Sequence, residues 1–141
     1  MAITTYIYGS FVEKLSNKEI DYESDDIKLM LCDNNYTPNL TTDIYKNQVT
    51  NEVSGDGYTS GGELLTGKSI TYDSGVTSYI ASSLQWLNIT TTFRYAVLYD
   101  DTGNDATSPL IAYFDFGDDV ILEISTFTIN FSSSEVITFT I

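Results

Sequence analysis

Apolar and polar residues alternate along much of the chain, and a period of two is typical of half-buried β-strands. The clearest predicted strand covers residues 91–100, "TTFRYAVLYD". Its apolar side chains fall on two faces, with Phe93, Tyr95, Val97 and Tyr99 on one and Ala96 and Leu98 on the other. Because both faces are apolar, we expect a central strand that is buried on both sides.

Further predicted strands lie at residues 26–33, 70–72, 78–87, 108–117 and 137–141. Before the last strand the apolar phase changes, since Leu122 and Ile124 occupy even positions whereas Phe127 and Ile129 occupy odd ones. Such a change moves the apolar side chains to the other face, so we expect a β-bulge or a bend near residues 125–126. The alternation continues to Ile141, which predicts that this residue is held within a sheet.

One short helix is predicted near the start of the sequence. Ser10 precedes Glu13 with the spacing of a capping box, and this indicates a helix over residues 11–18 with Phe11, Val12 and Leu15 as its apolar face. The remaining pattern consists of short strands separated by turn signals. We therefore predict an all-β protein, a single domain over residues 1–141, built as an antiparallel β-sandwich or barrel-like fold with one short N-terminal helix.

The charge of the chain limits its partners. Acidic residues outnumber basic ones 20 to 6 among 141 residues, which gives a formal net charge of -14. We expect no binding to nucleic acid or to an anionic membrane, because both depend on lysine and arginine. The sequence shows neither the basic start of a secretion signal nor the ~20 apolar residues of a membrane helix. We expect synthesis in a cytoplasm and a surface that is attracted to basic partners.

The chain is poorly equipped for catalysis. It has no histidine, the commonest general base and metal ligand. Its single cysteine, Cys32, allows no internal disulfide and lies in an apolar run, so we expect a buried thiol. The loop Asp100-Asp105, "DDTGND", is rich in oxygen ligands, but it lacks the twelve-residue calcium loop with its terminal Glu. We interpret it as a solvated turn, with a metal site as the alternative.

A glycine-rich segment, "NEVSGDGYTSGG" at residues 51–62, raises the question of phosphate binding. Gly62, Gly67, Lys68 and Ser69 match the spacing of a phosphate-binding loop. That loop requires a buried strand before it and a helix after it, and neither is predicted here. We expect these glycines to supply positive φ angles in a loop and a hairpin. We predict that the protein is not an enzyme and has no catalytic, cofactor-binding or metal-binding residues.

Two further residues have alternative interpretations. Arg94 is the only arginine, and we expect it to pair with a carboxylate such as Asp115, the alternative being a bridge between subunits. Trp86 alternates with Leu84 and is predicted to be a core residue rather than a surface platform for sugars.

Several ordered segments of the chain resemble a family of small virion structural proteins of tailed bacteriophages and prophages. The most distinctive are "GYTSGG", then "RYAVLYDDTG", then "PLIAYFDFG", and the likeness extends over nearly the whole length. The segment "FGDDVILEIS" departs from the family, which is usually more polar there. The resemblance implies a head-associated or decoration protein without a cofactor or catalytic residues.

The function expected from these observations is that of a non-enzymatic virion structural protein. The leading hypothesis is an accessory or decoration protein bound to the capsid, and the alternatives are a tail, collar or fibre component and, from another class, a carbohydrate-binding module. The expected partners are the major capsid protein or other virion proteins. We also expect a homo-oligomer, with a trimer favoured, whose apolar seam comes from residues 121–129 and 137–141.

Overall fold

The chain folds into two antiparallel sheets, which confirms the predicted all-β sandwich-like class. The structure is a computed structural model that describes residues 3–141, the side chain of Ser132 excepted. Its strands are β1 (Thr4–Ile7), β2 (Ile27–Cys32), β3 (Glu63–Leu64), β4 (Ser69–Asp73), β5 (Val76–Ile80), β6 (Leu84–Asp100), β7 (Leu110–Ile129) and β8 (Glu135–Thr140). The five-stranded sheet has the order β1-β7-β6-β2-β3 and the three-stranded sheet has the order β4-β5-β8. The two sheets do not close into a barrel.

The long hairpin formed by β6 and β7 organises the molecule. Part of β6 is buried on both faces, as its sequence predicted: Ala96 and Leu98 belong to the larger core cluster, whereas Val97 and Tyr99 belong to a second cluster on the other side. The first cluster is shared with α1 (Phe11–Ser16) and with residues of the three-stranded sheet. The sheet is therefore covered on both sides along its central strand.

The predicted face of Phe93 is wrong. Phe93 lies in the cluster of Ala96, because the register moves from Phe93↔Val120 to Tyr95↔Asp115. Four residues of β7 lie opposite one residue of β6 at this point. The core-facing positions of β6 change from odd to even numbers there, whereas those of β7 remain even. The predicted bulge near residues 125–126 is confirmed, since Ile89 pairs with Ser125 while Thr91 pairs with Leu122.

Several predicted boundaries are also corrected. Residues 78–87 do not form one strand, because β5 ends at Ile80 and β6 begins at Leu84. The helix begins at Phe11 but ends at Ser16, and Ser10 makes no side-chain cap hydrogen bond. Val12 lies on the solvent side of this helix with 63% of its surface exposed. A six-residue helix offers little more than one buried stripe, here Phe11 and Leu15.

The last residue is held by its backbone rather than by its side chain. The N–H of Ile141 donates a hydrogen bond to the carbonyl of Gly75 at 2.9 Å. Its side chain is nevertheless fully exposed. Ile141 therefore lies just beyond β8, and the prediction that it is held within a sheet is wrong, although its backbone is bound to the neighbouring turn.

Candidate functional site

The glycine-rich segment lies against the long hairpin and against strand β2. Its backbone follows the edge of β6 beyond β2, where the N–H of Thr90 donates to the carbonyl of Asp56 at 2.9 Å. A Cβ atom on Gly55 would overlap the carbonyl of Thr90, and one on Gly62 would overlap that of Leu29. Both glycines have positive φ angles, as predicted. They are required for close approach of two backbones.

The matching phosphate-loop residues have another role. Ser69 begins strand β4, so no helix N-terminus follows Lys68. The Nζ atom of Lys68 instead donates a hydrogen bond to the backbone carbonyl of Asp25, and it lies over the ring of Tyr22. The lysine therefore joins the start of β4 to the loop that precedes β2.

The carboxylates of the 100–105 loop point to separate partners. Asp101 forms an ion pair of 2.7 Å with Lys28, and Asp105 forms one of 3.0 Å with Lys46. The Oδ1 of Asn104 accepts a hydrogen bond from the N–H of Ala106. Within residues 3–141, no group of three or more His, Cys, Asp or Glu side chains is placed to hold a metal ion.

Asp100 differs from its neighbours because it is buried beside another carboxyl group, that of Asp25. It is 2% exposed, and its Oδ2 atom has no hydrogen-bond partner among the described residues. Burial and the hydrogen bond with Asp25 raise the pKa of Asp100 to about 8, while the same hydrogen bond lowers the pKa of Asp25. A protonated Asp100 can donate to Asp25, and this supplies the partner that the ionised form lacks.

The remaining sequence predictions about single residues are confirmed. Arg94 pairs with Asp115 through two hydrogen bonds of 3.0 and 3.3 Å, and the bond with Arg94 lowers the pKa of this carboxyl. Cys32 is buried, and burial raises the pKa of its thiol. Trp86 is 1% exposed and stacks on Phe127 in the core.

Three exposed apolar residues lie on the long hairpin, and two of them, Ile121 and Ile124, belong to the segment predicted to form a seam. The three are Leu87 on β6 and Ile121 and Ile124 on β7, which we call the hairpin patch. Ile124 is 79% exposed and has a φ of 45°, in the left-handed region. A β-branched residue is disfavoured there, and its exposed side chain gains no burial in return. Backbone strain of this kind is found frequently at functional sites of proteins.

A groove opens between the two sheets where strand β1 is shorter than its neighbour. Its central cavity has a volume of about 260 Å³. The residues that line it include Ile3, Thr5 of β1, Phe116 and Ile129 of β7, and Glu135 and Val136 of β8. Adjoining cavities of about 360 and 430 Å³ extend it toward Thr138 and toward Phe127. We call this continuous depression the edge groove. It gives access to the partly buried core side chains Phe127 and Ile129.

Sequence reasoning missed the edge groove because it missed β1. The run "TTYI" at Thr4–Ile7 is rich in β-branched and aromatic residues, and this signal could have predicted a strand. No comparable local sequence pattern predicts how much shorter β1 is than β7. Of the residues predicted to form a seam, Ile121 and Ile124 are exposed, whereas Phe127 and Ile129 line the groove.

The chain was compared with known proteins at three levels. No family model, curated protein or solved structure matches it. Within the part of the chain that the structure describes, no helix has the length and apolar character needed to span a membrane.

Proposed function

We propose that this protein is a non-enzymatic structural component of a tailed bacteriophage particle, an accessory or decoration protein bound to the capsid. It acts as a homo-oligomer, with a trimer favoured, that contacts the major capsid protein or other virion proteins. It is made in the cytoplasm of the bacterial host. The resemblance of its ordered segments to small virion proteins supports the phage assignment.

The observation that carries the assembly role is the hairpin patch. Ile124 combines an unfavourable backbone conformation with an exposed apolar side chain, so it contributes little to the stability of the isolated chain. Exposed apolar residues that are clustered, rather than scattered singly, are typical of protein interfaces. Leu87 and Ile121 are further exposed apolar residues of the same hairpin.

The position of the protein in the particle tests the proposal. Particles are prepared from a phage that lacks the gene, and purified protein is added to them. The density that the protein restores is located by cryo-electron microscopy. We expect density at symmetric positions on the capsid. Density confined to the tail, collar or fibres would support the alternative structural assignment, and no density on any part of the particle would contradict both.

The carbohydrate-binding alternative loses one of its two platforms. Trp86 is buried in the core and cannot stack on a sugar from solvent. Tyr72, which is 71% exposed on β4, is the aromatic residue that still favours this function. Binding to a glycan array that is lost in Tyr72→Ala would support sugar recognition over assembly.

A further inference from the structure

We propose that the edge groove binds an extended β-strand segment of another protein, with alternating apolar residues and at least one lysine or arginine that faces Glu135. This inference rests on the proposed function, because it specifies how an assembly module would hold its partner. The bound segment would add a strand beside the free edge of an existing sheet, a common mode of peptide recognition.

Both sides of the groove present strand edges. Strand β1 covers only residues 112–115 of β7, so the same edge of β7 has no strand partner from Phe116 to Ile129 among residues 3–141. Strand β8 pairs with β5 on one side, and no described strand pairs with its other side. Edges of this kind carry backbone N–H and C=O groups that an added strand can satisfy.

The side chains of the groove favour a strand with apolar residues on one face. Phe116 and Ile129 of the five-stranded sheet and Val136 of the three-stranded sheet line the groove. Side chains of a bound strand point alternately to opposite faces, so every second residue would contact these apolar side chains. The combined volume of the three adjoining cavities is larger than the volume of a single side chain.

Charge identifies the partner as basic and as a different protein. Glu135 is the only charged residue among the described residues that line the groove. Five of the six lysine and arginine side chains already contact oxygen atoms of the chain itself, in pairs such as Lys28–Asp101 and Arg94–Asp115. A second copy would bring another net charge of -14, whereas a basic strand is attracted by both Glu135 and the whole surface.

The test uses a synthetic peptide of about nine residues, the length of a long strand, in which Val and Lys alternate. Binding to the isotope-labelled full chain is followed by amide chemical shifts and by titration calorimetry. We expect shift changes and slower amide exchange at residues 116–129 or at Glu135–Thr140, the two unpaired strand edges at the groove. The exposed substitution Glu135→Lys should weaken binding about five- to tenfold, because it replaces attraction by repulsion at the rim.

Two control peptides separate strand addition from simple attraction to an acidic protein. A peptide with Glu in place of each Lys should bind Glu135→Lys more tightly than the wild type. The Val–Lys peptide with N-methyl groups on alternate residues keeps its charge but loses hydrogen bonds on one edge, and its binding should be lost.

Three results of the peptide experiments would overturn the proposal. These are shift changes outside the groove, equal binding of the N-methylated peptide, and absence of binding at millimolar peptide. Self-association abolished by Ile129→Lys would also overturn it, by assigning the groove to a second copy. Each of these results leaves the capsid position open, since that position is measured separately on intact particles.

Discussion

At the scale of single residues, the pair Asp25 and Asp100 couples the stability of the fold to pH. The pKa of Asp100 is raised from an ordinary value of 3.8 to about 8 by its burial and its hydrogen bond with Asp25. The folded state therefore binds a proton that the unfolded state releases near pH 4. Its stabilising effect is present below that pH and is lost as the pH rises through 8.

Asp100→Asn should remove this pH dependence, because the amide resembles the protonated, neutral carboxyl group. We expect the substituted protein to be more stable than the wild type at pH 9 by about 1–3 kcal/mol, and closer to it at pH 5. Thermal unfolding followed by circular dichroism at both pH values measures the difference. The control is Asp26→Asn, because Asp26 is an exposed residue of the neighbouring loop. This substitution should show no such difference in stability between the two pH values. Equal effects of the two substitutions would contradict the assignment.

Gly62 provides a test of close backbone approach that is separate from backbone conformation. Gly62 and Gly103 have similar φ angles, 85° and 88°, but only at Gly62 would a Cβ meet another atom, the carbonyl of Leu29. Gly103→Ala should cost about 1–2 kcal/mol of unfolding free energy from conformation alone. Gly62→Ala should lower the unfolding free energy by at least ~2 kcal/mol more than Gly103→Ala does, since strand β2 must shift. Urea unfolding of both proteins measures this, and equal costs would contradict the steric argument.

At the scale of secondary-structure elements, the irregularities of β7 determine which residues are exposed. Its insertion between Asp115 and Val120 changes the register with β6, and its bulge near Ile124 changes the face on which the following β7 side chains lie. The first brings Phe93 and Phe116 together in the core, with ring centroids 5.0 Å apart. The second turns Ile124 to solvent. One strand thus supplies both core residues and the hairpin patch.

Replacing Ile124 should separate folding from assembly. Asn tolerates the left-handed region better than a β-branched residue, so Ile124→Asn should stabilise the isolated chain by about 1 kcal/mol. Ile121→Asn is the matched control, because Ile121 is 69% exposed and is not among the residues with positive φ. Ile121→Asn should change the free energy of unfolding by no more than about 0.5 kcal/mol. Chemical unfolding tests the prediction, and destabilisation by Ile124→Asn would show that the side chain supports the fold.

The elements that the sequence predicted best are those with a strong local pattern. Residues 91–100 were recognised as a doubly buried strand because apolar residues occupy both faces. The break after Ile80 was missed because "ASS" contains neither glycine nor proline, and β1 was missed because it is only four residues long. The edge groove follows from the lengths of strands that are paired across the sheet. Local periodicity carries no information about such lengths, so this site emerges only from the fold.

At the scale of the whole molecule, acidic charge and exposed apolar residues have opposite effects on self-association. A net charge of -14 repels other copies, whereas burying Leu87, Ile121 and Ile124 favours contact. Salt reduces the first effect far more than the second. On the proposed capsid, we expect a repetitive lattice to strengthen the weak contacts of each copy through multivalency.

We therefore expect a homo-oligomer, most often a trimer, whose formation increases between low and moderate salt because charge repulsion is screened. Light scattering at micromolar concentration measures its mass. Ile121→Thr should shift the balance toward monomer, since Ile121 belongs to the hairpin patch. Val12→Thr is the control, as Val12 is similarly exposed, at 63%, but lies on α1. A strict monomer at both salt concentrations, with no binding to capsids that lack the protein, would contradict both the oligomer and the capsid assignment. Equal effects of Ile121→Thr and Val12→Thr would instead show that the seam lies elsewhere on the surface.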